Sequence, residues 1–216
     1  VWNYAIKQLR MRRYPLAGLA HMFIFSGFVV LLLRSLILWG RGFDESFNFW
    51  LFGPGHWIGE TYSFLKALLA ILVILGTLVF VYYRVVSRLQ RMTLSTEGLV
   101  ILGIILTMMV ADILYDGASL VLRARDVVVA RGVVTLDESA SVHAAAVPFL
   151  ICEPAGSVAA LTVAGLDSYA LAVLKHLGFW THTALVLVFL NLLPYSKHFH
   201  VITAIPNVYT QTLHSP

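Results

Sequence analysis

Four long apolar runs divide the chain. Leu16 to Trp39 is interrupted by Arg34 near its end, and Tyr62 to Tyr83 carries Lys66 in its first turn. Leu99 to Leu122 carries Asp112 and Asp116 towards its end, and Phe179 to Tyr195 has Pro194 near its close, where a kink is expected. Each run reaches or nearly reaches the ~20 residues a helix needs to cross a bilayer. A fifth apolar stretch, Ala144 to Leu166, contains Pro148, Glu153, Pro154, Gly156 and Gly165, which break a helix or make it costly.

The placement of charge decides how that fifth stretch is read. Arg10, Arg12 and Arg13 precede the first run, Arg84, Arg88 and Arg91 follow the second, and Lys197 follows the last. With four spans all three clusters fall in the cytoplasm, as the positive-inside rule asks, whereas a fifth span would put Lys197 outside. Residues 123–174 are therefore expected to be a long exterior excursion with amphipathic or re-entrant helices at the interface. Arg123, Arg125 and Arg131 count against that orientation. The loop from Gly40 to Glu60, rich in Trp and Phe, is expected outside at headgroup level. The expected fold class is all-α: an integral membrane helical bundle of four transmembrane helices plus exterior amphipathic or re-entrant helices.

Composition agrees with lipid as the solvent. Of 216 residues, 59% are hydrophobic and 12% charged, with mean hydropathy +0.84. A soluble domain carries about 25% charged residues, so this chain would leave large apolar faces in water. The net charge of +4 lies in short loops, so it reports topology rather than a nucleic-acid partner. The one cysteine, Cys152, allows neither a disulfide framework nor an iron–sulfur cluster held by the chain's own thiolates, which takes about four. The chain opens at Val1 without a signal-peptide pattern and is read as a fragment or a processed chain. With no internal repeat, one membrane domain is expected.

Ionisable side chains inside a bilayer are costly and usually functional. His21 lies in the first turns of the first span, and His182 and His200 are 18 residues apart at the last. At 3.6 residues per turn that spacing puts both on one face, roughly 27 Å apart along an unbroken helix. One histidine near each membrane surface, facing the bundle interior, is how a four-helix bundle stacks two haems across a bilayer. His21 and His200 are expected at the same depth on opposite-running helices, where they can clamp one iron. His56, His143, His176, His198 and His214 are read as interfacial. A zinc site at His198 and His200 lacks nearby acidic residues or cysteines to complete it.

These residues also carry a family resemblance. Trp180-Thr-His182, then Leu193-Pro-Tyr-Ser-Lys-His-Phe-His200, continuing to Pro206, resembles the last helix of the nitrate reductase gamma subunit family. It resembles still more the cytochrome b domain fused to, or partnered with, heterodisulfide-reductase-type iron–sulfur proteins. That group includes bacterial oxidoreductases linking electron-transfer flavoprotein to menaquinone. Tyr14-Pro-Leu-Ala-Gly-Leu-Ala-His21 is similar to the family's first haem-binding helix, and Lys66 and Thr93-Leu-Ser-Thr-Glu-Gly98 add to the likeness.

The resemblance implies haem b on the cytoplasmic side between His21 and His200, an outer haem on His182, and a quinone beside it near Lys66. The lysine would donate a hydrogen bond to a quinone carbonyl; snorkelling to the interface is the competing role. Arg34 would pair with a haem propionate or with Asp112 or Asp116. One departure stands out. Ten residues after His21, where the nitrate reductase gamma subunit has its second histidine, this chain has Leu31. The outer haem is then five-coordinate, completed by His56 or His143, or absent.

Residues 1–209 are thus read as a haem b-binding transmembrane domain and 210–216 as the start of a linker or C-terminal tail. The expected protein is a multi-pass cytochrome b subunit of a bacterial or archaeal cytoplasmic membrane. It would pass electrons between the menaquinone pool, or another quinone, and [4Fe–4S] clusters in a cytoplasmic CCG-type domain or subunit. Electron-transfer flavoprotein is a further partner the resemblance implies, with the electron donor and the direction of transfer left open. The alternatives are a transporter or channel component, with Asp112, Asp116 and Arg34 as an intramembrane polar pathway, and a non-haem membrane anchor.

Overall fold

The computed structural model describes residues 15–53, 55–87, 96–130 and 147–195, together with residues 199 and 203. Helix α1 spans Pro15–Arg41, α2 Trp57–Val81, α3 Thr96–Ala130, α4 Pro154–Val163 and α5 Ser168–Leu192. A π-helical turn, Tyr82–Val86, extends α2, and a 3-10 turn, Leu193–Tyr195, extends α5. The described residues contain no strand. With their extensions, four of these helices are 27, 30, 35 and 28 residues long and apolar enough to cross a membrane. The chain is a multi-pass, all-helical membrane protein.

Three boundaries differ from the sequence-based expectation: α2 begins at Trp57 rather than Tyr62, and two others lie around α4. Helix α3 does not stop at Leu122 but runs on to Ala130, and α5 begins at Ser168 rather than Phe179. The connection between the third and last spans is correspondingly shorter than 123–174 and contains the short apolar helix α4. Pro154 opens α4, where its fixed φ and missing N–H cost nothing. Asp167 caps α5 by accepting a hydrogen bond from the Ala170 amide at 2.7 Å. Buried Arg125, a charge that sequence reading gives to a loop, donates to the carbonyls of Ala164 (3.0 Å) and Leu166 (2.8 Å) and to the Ser168 hydroxyl. It thereby satisfies the end of α4 and fixes the turn into α5.

Helix α3 is central, packing on α2, α4 and α5, while α1 packs on α2 and α5. Close approach rests on small residues, as in other membrane bundles. A Cβ added at Gly178 of α5 would lie 2.7 Å from the Ala111 carbonyl oxygen of α3, and one at Gly117 would lie 2.7 Å from Ala159 of α4. Leu31, Val73, Met108 and Val186 bring α1, α2, α3 and α5 to one core, while Val121, Ala160 and Leu171 join α3, α4 and α5 in another. Leu19, Val29, Leu75, Val100 and Leu187 point outward, as lipid-facing positions do.

Candidate functional site

Helices α1, α2, α3 and α5 enclose a cavity of about 210 Å³ whose walls are mostly apolar. His21 and His182 both line it, with Leu31, Ser35, Arg84 and Met108. Their relative depth follows from one contact: His182 Nε2 lies 3.2 Å from Ser35 Oγ. Ser35 is four turns beyond His21, roughly 21 Å along α1. His21 therefore sits towards the Pro15 end of the bundle and His182 towards the Arg41 end, with the cavity between.

The polar groups around this cavity are few and specific. His182 is 1% exposed, and its Nδ1 lies 3.4 Å from the Met108 carbonyl oxygen. An Nδ1–H donated to a carbonyl leaves Nε2 as the basic nitrogen, the arrangement usual for a ligating histidine. Arg84 comes from the π-helical turn, a distortion that often marks functional positions. Its Nε and Nη1 are buried without a hydrogen-bond partner among the described residues. A buried guanidinium with spare donors suits a carboxylate. The two imidazoles lie too far apart to share one iron; each, with the apolar interior and the spare donors of Arg84, is the kind of group that could hold a haem or its propionates. Sequence reading gave Arg84 only a topological role; the signal it left was its place directly after Tyr83, the first of three basic residues that follow the second run.

Beyond His182, towards the Arg41 end, lies a ladder of buried charges. Arg34 Nε donates to Asp112 at 2.9 Å, and its Nη2 pairs with Asp116. Lys66 Nζ donates to Asp116 Oδ2 at 2.6 Å and to Glu153 Oε1 at 2.8 Å. Arg34 and Lys66 are each 3% exposed. Lone charges are prohibitively costly inside a bilayer, so the two cations and three carboxylates stabilise one another. The guanidinium also lies 5.5 Å from the Tyr115 ring centroid.

Of the two roles sequence gave to Arg34, the structure shows the carboxylate pairs. Lys66 does not snorkel. Because α2 starts at Trp57, Lys66 falls in its third turn and points into the bundle, and it does not line the cavity. His56 is an exposed residue at the start of α2 and is not brought to His182. His143, His198, His200 and His214 lie outside the described residues, so the pairing of His21 with His200 does too. Among the described residues no three His, Cys, Asp or Glu side chains gather to hold a metal ion.

The chain is similar to two curated proteins. One is EtfAB:quinone oxidoreductase of Syntrophomonas wolfei subsp. wolfei, 26% identical over 215 residues, covering 96% of this chain. The other is the probable iron-sulfur-binding oxidoreductase FadF of Bacillus subtilis, 22% identical over 215 residues, covering 100% of this chain. The chain is a distant relative of oxidoreductases. It spans 27% of the length of each of these proteins. No family model matches it, and neither does any solved structure. Relatives named as oxidoreductases and four membrane-length helices agree with a membrane electron-transfer subunit.

Proposed function

We propose that this chain is the membrane cytochrome b segment of a quinone-linked oxidoreductase in a bacterial or archaeal cytoplasmic membrane. The observation that carries the reading is the pair of imidazoles, His21 and His182, lining one apolar cavity inside the bundle. Haem b bound there supplies a one-electron carrier.

The chain's own residues bind, orient and insulate. With Nδ1–H donated to the Met108 carbonyl, His182 would offer Nε2, now 3.2 Å from Ser35 Oγ, as the ligating nitrogen. Arg84, with Nε and Nη1 unpartnered among the described residues, would hold the carboxylates of such a group. Leu31, Met108 and Val186 exclude water, and burial is one of the protein's levers on potential. His21 and His200 are the proposed ligands on the cytoplasmic side, and His182 the ligand of an outer haem.

The name of the Syntrophomonas wolfei relative supports EtfAB and quinone as the two ends of the transfer. That of the Bacillus subtilis relative supports an iron–sulfur partner, with [4Fe–4S] clusters in a domain or subunit beyond these residues. Arg34, Asp112 and Asp116, the residues of the alternative transport pathway, are bonded to one another and do not line the cavity, which favours electron transfer over transport.

A dithionite-reduced minus oxidised spectrum of the purified chain tests this reading. The sharp bands of haem b are expected; a flat trace rejects it. His200→Ala should remove the cytoplasmic-side haem and spare the outer one, while His182→Ala should do the reverse.

A further inference from the structure

A second, larger cavity of about 610 Å³ lies at the Arg41 end, between the close of α1, the middle of α3 and the first half of α5. Its size falls within the ~300–1,000 Å³ of small-molecule sites. Its walls are aromatic: Trp39, Tyr115, Phe179 and Trp180. Three of these rings form a continuous surface, Phe179 standing 6.3 Å from Tyr115 and 5.2 Å from Trp180. Exposed Phe43 and Leu187 flank it, so it opens towards lipid.

Two polar atoms in this wall decide what fits. Trp39 Nε1 and Thr183 Oγ1 are both buried, and neither has a hydrogen-bond partner among the described residues. An indole N–H only donates, so the occupant brings acceptors. The charged residues at the rim are already engaged. Arg41 donates to the Phe47 carbonyl and the Asn48 side chain, and Lys175 pairs with Glu45. Arg41 keeps its charge, since both its partners are neutral, and His176 also lines the cavity. The aromatic walls and the two spare buried polar atoms suit a flat, lipid-soluble occupant that brings carbonyl acceptors.

We propose that this cavity binds the headgroup of a quinone, with Trp39 Nε1 and Thr183 Oγ1 as its hydrogen-bond donors. The proposal rests on the quinone-linked reading above and moves the headgroup away from Lys66, which is bonded to Asp116 and Glu153. His182 lines the first cavity and its neighbour Thr183 the second, so the two cavities meet at α5.

The test uses the full chain in lipid nanodiscs and a radiolabelled photoreactive naphthoquinone. Label is expected on peptides containing Trp39 and residues 176–187, and excess unlabelled menadione should displace it. Trp39→Phe and Thr183→Val should each weaken half-maximal labelling about 3- to 10-fold, the worth of one hydrogen bond. Haem content should be unchanged in both. Label on the Lys66 or Glu153 peptides, indifference to both substitutions, or label that menadione does not displace (an acyl-chain groove) overturns the proposal. A colourless chain whose labelling still depends on Trp39 and Thr183 would refute the haem reading while sustaining this one.

Discussion

Replacing Arg34 by Met removes the cation shared by Asp112 and Asp116 and leaves Lys66 alone among three carboxylates. Methionine keeps much of the stem's volume, so the loss is mainly electrostatic. Removing one member of a buried ion pair costs about 3–5 kcal/mol, because the partner stays buried and uncompensated. That is roughly two to four powers of ten in the folding equilibrium. The cost should show as an earlier unfolding midpoint when the detergent-solubilised chain is titrated with SDS and followed by circular dichroism. The double variant Arg34→Met/Asp112→Asn removes the orphaned carboxylate as well. It should recover part of the loss, giving a coupling of about 1 kcal/mol or more in a double-mutant cycle. A single-variant cost below about 0.5 kcal/mol, or strict additivity, would refute the reasoning, since exposed pairs behave that way.

Three further outcomes follow from other contacts. Gly178→Ala drives a methyl towards the Ala111 carbonyl and should cost about 1–3 kcal/mol in the same titration; stabilisation, as helix propensity alone predicts, would contradict the close α3–α5 approach. Arg84→Met should raise the dissociation constant of added haemin roughly 10- to 100-fold, the worth of charge-assisted bonds, and unchanged affinity would remove Arg84 from the site. Burial first, and then neighbouring Glu153, push the Cys152 thiol above its ordinary pKa. Its maleimide labelling at neutral pH should therefore be slower than that of glutathione and should accelerate at higher pH than a free thiol's; equal rates would contradict this environment.

Apolar run lengths were enough to reveal the four spans, because a membrane imposes its thickness on each one. They did not reveal the ends of α3 and α5. Arg123, Arg125 and Asp126 look like loop residues, yet Arg125 is buried because α4 offers it carbonyls that only the folded chain brings near. Lys66 looked interfacial because the polar start of α2, Trp57 to Thr61, did not register as helix. At the candidate site, His21 and His182 stood out as polar residues in apolar runs. Arg84 did not, since only the folded chain brings it to a cavity lined by α1, α3 and α5. The aromatic cavity was equally hidden: Trp39 and Thr183 are far apart in sequence, and neither is unusual at a membrane interface.

The central claim is that the imidazoles lining the four-helix cavity hold an iron macrocycle. A pyridine haemochrome assay on the purified chain, expressed with haem supplementation, measures it most directly. The account predicts at least one protohaem per chain, with a lower ratio when His182 is replaced by Ala. No protohaem above background, or the same ratio in His21→Ala, His182→Ala and parent chains, would contradict it.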